Sequence, residues 1–344
     1  MVNVTRAGPG LATRSGAKPV NSYVCAGAIV GAFTPDEDEQ PARSATAQQA
    51  RRKRPICRQD HDAWECVSNG YPDAAVLLAH SSASWETPPA VLVGAALAGL
   101  LFAQAFVRLR ERRPDHAPWS RALLFGAGLA LLVLPLVSPL DGLGDEELLS
   151  AHMLQHVLIG DAAIALLVVA VRGPLVFFLL PPSVLKPLAS FRPLRRLLGI
   201  LLVPLVSLGL WTVAIYAWHI PTVYDYASAH PLVHDLMHLS FVVAGTLVWI
   251  QLVDPARHGR LRRPQRVFFA LAMLVVTQPL VDVLLFSTSP VYPRYTGAHG
   301  ISALTDQRLA GVVMMTEQLL ALGICVALLL RPYVRERSRK PAFT

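Results

Sequence analysis

Two short stretches carry the residues of this chain best suited to chemistry. "HMLQH" (152–156) contains His152 and His156, and "WHIPTVYDYASAHPLVHDLMHLSF" (218–241) contains His219, His230, His234 and His238. Histidines four apart stack on one face of an α-helix. Imidazole is the commonest metal ligand. Two pairs on separate helices offer four nitrogens to one ion, or two to each of two neighbouring ions. Both pairs run into apolar sequence, where imidazoles cost energy unless they find partners. A lone histidine at a membrane interface more often satisfies a carbonyl or faces headgroups, and His219, His230 and His299 carry that reading equally. His219 also sits beside Trp218, Tyr216 and Tyr224, which resemble an interfacial aromatic belt.

Further polar and soft groups fall in the same region. Asp306 opens the last apolar stretch, Met314 follows it by about two helical turns on a similar face, and Met153 adjoins His152. A thioether among imidazoles favours copper, Cu(I) above all, over zinc or magnesium. Each methionine reads equally well as packing filler. Asp161, Asp282 and Glu317 fit either a polar site or hydrogen bonds between helices.

The elements that must position these residues follow from hydropathy. The chain has 344 residues, of which 53% are hydrophobic and only 16% charged, whereas a soluble protein carries about 25% charged residues. Apolar runs long enough to cross a bilayer lie at about 88–108, 121–139, 147–171, 198–219, 232–253, 266–288 and 308–330. The expected fold is an all-α integral membrane protein, a seven-transmembrane helical bundle. Four segments (108–121, 172–196, 257–266 and 331–340) hold twenty Lys and Arg, against only Arg294 and Arg308 in the three alternate loops. The positive-inside rule then places the N-terminus out and the C-terminus in. The net charge of +8 reads as topology and contact with anionic lipid, and no nucleic-acid motif accompanies it. On this topology His152, His156, His219, His230, His234, His238 and His299 gather on the extracytoplasmic side.

Residues 1–85 are rich in Gly, Ala, Ser and Pro, with runs "DEDE" and "RRKR". They read as a disordered N-terminal extension, and the true start is expected nearer Val76, because such a tail is awkward to translocate. Residues 86–332 form the transmembrane domain and 333–344 a basic cytoplasmic tail. The four cysteines (Cys25, Cys57, Cys66 and Cys325) form no CxxC pair. A Cys57–Cys66 disulfide would be permitted outside the cell.

"HMLQH", "RGPL" (172–175), "WHIPTVYDYA", "HDLMHLSF" and "DQRLAGVVMM" (306–315) together resemble the CtaG family of membrane proteins, over about residues 88–331. The resemblance implies a seven-span protein of the bacterial plasma membrane that assists assembly of caa3-type cytochrome c oxidase by supporting copper insertion. It assigns metal ligation to His152, His156, His219, His234 and His238, with Asp306 and Met314 as additions. Where family members often carry a tryptophan after the last motif's methionine, this chain has Met315. The implied partners are a haem–copper oxidase subunit, the lipid membrane and, if copper does not come directly from solution, a soluble copper donor.

Two other chemistries compete. "HDLMH" (234–238) approaches the HExxH motif of zinc hydrolases, although the Asp235 side chain is a methylene too short for that geometry. A bis-histidine haem would need one histidine from each of two facing helices. A third reading has no metal, the histidines only tuning a response to pH. No nucleophile with its base, phosphate-cradling loop or cofactor fingerprint is present, so the sequence reads as a chaperone and not an enzyme.

Overall fold

The computed structural model describes residues 85–339, with side chains to 335, and the backbone of two short strands before them. Those strands, β1 (Ile56–Asp60) and β2 (Ala63–Val67), pair antiparallel with Cys57 opposite Cys66. They belong to a unit that ends at Tyr71, separate from the remainder of the chain. Both strands lie within the stretch that the sequence reads as a disordered extension. Its strands of five residues are too short to show a sustained pattern. The rest of residues 1–84 lies outside the described residues.

Proline sets many of the helix starts, because its fixed φ and missing N–H suit the first turn. Helix α1 (Pro89–Arg112) is followed by α2 (Trp119–Val137), the short α3 (Leu140–Glu146) and α4 (Leu149–Ala170). The middle of α4, Leu158–Ala162, widens into a π-turn. Next come α5 (Pro182–Ser190), α6 (Arg192–Leu201), α7 (Pro204–Trp218) and α8 (Pro221–Ala229). The long helices α9 (Pro231–Val253), α10 (Arg263–Phe286) and α11 (Ala303–Arg339) complete the bundle.

Among the described residues, six helices (α1, the stretch ending in α2, α4, α9, α10 and α11) are long and apolar enough to cross a membrane. The chain is thus a helical, multi-pass membrane protein. Leu123, Leu205, Leu232 and Phe286 turn outward, as lipid-facing side chains do. The expected fourth span, 198–219, is broken. Helices α6 and α7 meet at 75°, and only if the pair counts as one span does the total reach seven. Pro204 explains the break: it lacks an N–H and pushes the residue before it out of helical conformation. Helix α6 buries none of its side chains. The basic tail expected from 333 onward continues α11 as helix to Arg339.

Helices α4 and α9 form the centre, with α2, α7, α10 and α11 packed around them. They meet closely at two glycines: a Cβ on Gly245 of α9 would lie 1.9 Å from the carbonyl oxygen of Gly160 in the π-turn of α4. Only glycine permits that contact, the small-residue mode of packing in membranes.

Candidate metal centre

The contact between Gly160 and Gly245 brings α4 and α9 face to face, and each helix presents its i,i+4 histidine pair to the other. Within a pair the ring centroids are 4.2 Å apart, for His152–His156 and for His234–His238 alike. Across the helices His152 stands 5.3 Å from His234, and His156 5.1 Å from His238. One ligand nitrogen from each of the four rings can be chosen so that all lie within 4.8 Å of one another. All four residues are buried.

These rings lack ordinary partners. Both nitrogens of His152, both of His156, Nε2 of His234 and Nε2 of His238 are buried without a hydrogen bond. An unsatisfied buried polar atom costs roughly 1–3 kcal/mol, so six in one place cannot be an indifferent feature of a stable bundle. Neutral imidazole nitrogens, clustered and desolvated, fit a divalent or soft monovalent metal ion.

Asp145 of α3 was not foreseen from the sequence. Its carboxylate oxygen lies 3.1 Å from His152 Nδ1 and 3.3 Å from His234 Nε2, though at angles that do not make hydrogen bonds. Burial pushes the Asp145 carboxyl upward, but the neighbouring His152 and His234, with Arg294, outweigh it and hold the group below the usual carboxylate range. Gly144 makes this approach possible, since a Cβ there would meet the His152 backbone at 2.9 Å.

A shell of tyrosines closes the same end. Tyr224 of α8 donates to or accepts from Tyr295 Oη at 2.6 Å, and Tyr295 donates to the Gly144 carbonyl at 2.7 Å. The Tyr224 ring meets His152 edge-on at 5.2 Å. Tyr224, which in sequence looks like part of an aromatic belt, is fully buried.

The remaining expected ligands take other places. His219 ends α7 and is buried; its Nδ1 donates to Ile215 O at 2.7 Å, while Nε2 lies 3.3 Å from Met153 Sδ. Met314 lines a small cavity beside His156 and His219. Asp306 is not grouped with the four histidines, because its carboxylate is occupied. It accepts from the Leu149 N–H at 2.7 Å, the Ser150 N–H at 3.1 Å and the Ser150 hydroxyl at 2.5 Å. A carboxylate there satisfies the free N–H groups of α4 and complements its dipole. It thereby ties α11 to the helix that bears His152 and His156. Of the uncertain histidines, His230 stacks on Tyr226 and His299 pairs with Glu147, both in the open. Asp235 is exposed.

The description "cytochrome c oxidase caa3 assembly factor" belongs to a family, Caa3_CtaG, that matches residues 100–336, more than half of the chain. No curated protein and no solved structure matches it.

Proposed function

The chain belongs to the cytochrome c oxidase caa3 assembly factor family, and on that premise we propose that it holds copper between His152, His156, His234 and His238 and delivers it to a haem–copper oxidase. The observation that carries this reading is the set of six buried ring nitrogens without a hydrogen bond, of which only His152 Nδ1 and His234 Nε2 have a carboxylate beside them. Copper is cargo here, taken up and released, not a resident cofactor. The four imidazoles supply its ligands, and Asp145 adds a compensating negative charge and orients His152 and His234, as second-shell carboxylates do. A histidine site without thiolates binds tightly enough to hold the ion yet releases it more readily than a cysteine trap.

The distribution of Lys and Arg along the chain supports an extracytoplasmic position for the histidines in the bacterial plasma membrane. The recipient subunit would dock within the bilayer and exchange ligands one at a time. Copper would come from solution or from a soluble donor. The zinc hydrolase reading is disfavoured by the exposed Asp235 and by four clustered imidazoles, since catalytic zinc sites keep a position open for water. Haem is disfavoured by space: the adjoining cavity measures about 50 Å³, whereas cofactor pockets run to roughly 300–1,000 Å³.

The test is the metal content of detergent-purified protein after growth with copper and zinc, beside His152→Ala, His156→Ala, His234→Ala and His238→Ala. Thermal melts would confirm that each variant is folded. Copper bound to the parent protein and lost from folded variants supports the reading. Zinc that survives copper competition, or no metal at all, overturns it.

A further inference from the structure

The geometry points to a second, softer copper site beside the four histidines, built from His219 and Met153 with Met314, which admits Cu(I) and rejects zinc. It rests on the reading of the histidine cluster as a copper site and adds the selectivity that four imidazoles alone lack.

Met153 turns away from the cluster that its neighbour His152 joins, and reaches across to α7. There His219 is fixed at two points, one on its ring and one on its backbone. Nδ1 donates to Ile215 O at 2.7 Å, and the His219 carbonyl accepts from Tyr292 Oη at 2.8 Å. With the Nδ1 proton so placed, neutral His219 presents a bare lone pair at Nε2. That lone pair faces Met153 Sδ at 3.3 Å. A thioether has no hydrogen to donate, so two acceptors confront each other, His219 buried and Met153 fully enclosed. Packing alone would place a methyl group or a donor there. Met273, equally enclosed, sits among apolar side chains.

The two groups open onto a cavity of about 50 Å³ that Met314 of α11 also lines. One side of this cavity is His156, which belongs to the cluster as well, so the two sites share a wall. Glu317 stands at the cavity against Asp161, whose carboxylate accepts from Trp249 Nε1.

The donor types decide which cation. Imidazole with thioether sulfur is a soft set that selects Cu(I), while an all-imidazole set accepts zinc and copper alike. The cluster would therefore capture and the inner site would sort. Copper remains Cu(I) throughout, so no oxidant or reductant is required.

The experiment is an anaerobic titration of the detergent-purified full chain with bicinchoninate-buffered Cu(I) and, separately, with Zn(II), followed by X-ray absorption. The expected result is two Cu(I) but one Zn(II), with sulfur in the copper shell. Met153→Leu with Met314→Leu should bind one Cu(I), lose the sulfur scattering and keep its Zn(II). Selenomethionine protein of unchanged sequence should show copper–selenium scattering, a readout that needs no variant to fold. A single Cu(I) in a nitrogen-only shell, unchanged in the double variant, overturns the inner site and leaves the cluster standing. Sulfur-bound copper that persists in His152→Ala with His234→Ala, while parent and variant take up no Zn(II), overturns the cluster and keeps the inner site. No copper in the parent protein overturns both.

Discussion

The two ends of the bundle are both rich in polar side chains, yet they treat them differently. At the arginine end, none of the described side chains has a buried polar atom left without a hydrogen bond. Arg266 donates to the Asp254 carboxylate at 2.6 Å and to Leu261 O at 3.0 Å; Arg110 donates to Ala117 O at 2.7 Å, and Arg121 to the Arg172 carbonyl. At the histidine end, six nitrogens of four rings are buried and left without hydrogen bonds. Buried polar groups in native proteins are nearly always satisfied, so a completed network holds a fold together and an incomplete one implies a ligand.

The sharpest way to break the contrast is to push α4 and α9 apart. Gly245→Ala would place a methyl 1.9 Å from the Gly160 carbonyl, and the helices must separate to admit it. Overpacking of this kind costs about 1–3 kcal/mol or more, and a site spanning both helices should lose its copper completely. Metal analysis and a thermal melt check this. A variant with full copper and an unchanged melting temperature would show that the glycine contact does not set the spacing of the histidines.

Asp145→Asn should act next most strongly, and on binding alone. Removing an outer-shell carboxylate typically costs about 10–100-fold in metal affinity. Competition against a copper chelator would show that loss with little change in melting temperature. Asp306→Ala should do the reverse. It removes the acceptor for two backbone N–H groups of α4, about 1–2 kcal/mol of stability, while the folded fraction keeps its copper. If Asp306→Ala instead abolished copper binding without destabilising the protein, the residue would be a ligand after all.

Asp141 offers a pH test at the same end. Burial first, and then the neighbouring Asp145 charge, push its carboxyl up to about 7. Folding therefore favours the protonated form. That contribution is complete below the unfolded value of about 4 and is lost as pH rises through about 7. Melting temperature should fall between these limits, and Asp141→Asn should flatten the slope. An equally steep slope in the variant would assign the pH dependence to other groups.

The legibility of the site follows from how far each feature reaches along the chain. The two histidine pairs were plain because a helix repeats within four residues, and the family motifs lie on them. Asp145 was not, since its approach to His152 and His234 depends on Gly144 packing against the α4 backbone and on the sharp turn between α3 and α4. The bonds of Asp306 to the first turn of α4 were not legible either, because they join residues 157 apart. Tyr224 looked interfacial for the same reason, its partner Tyr295 lying 71 residues on. The seven apolar runs predicted the helices well except at 198–219, where Pro204 was visible but the 75° bend it allows was not.

The smallest expected effect tests the contrast most strictly, because it concerns histidines at the same end that are already satisfied. His299 pairs with Glu147 at 2.5 Å, and His230 bonds to Tyr226 O at 2.8 Å while stacking on its ring at 4.0 Å. Both are exposed, and exposed pairs are worth roughly 0–1 kcal/mol. His230→Ala with His299→Ala should therefore leave copper content unchanged and shift the melting temperature only slightly. Either residue could still matter for the rate at which copper enters, which a stopped-flow uptake measurement would read separately from stoichiometry. If the double variant emptied the site at equilibrium, copper would depend on histidine density at this end of the bundle and not on the unpartnered rings of α4 and α9. The distinction drawn between satisfied and unsatisfied imidazoles would then fail.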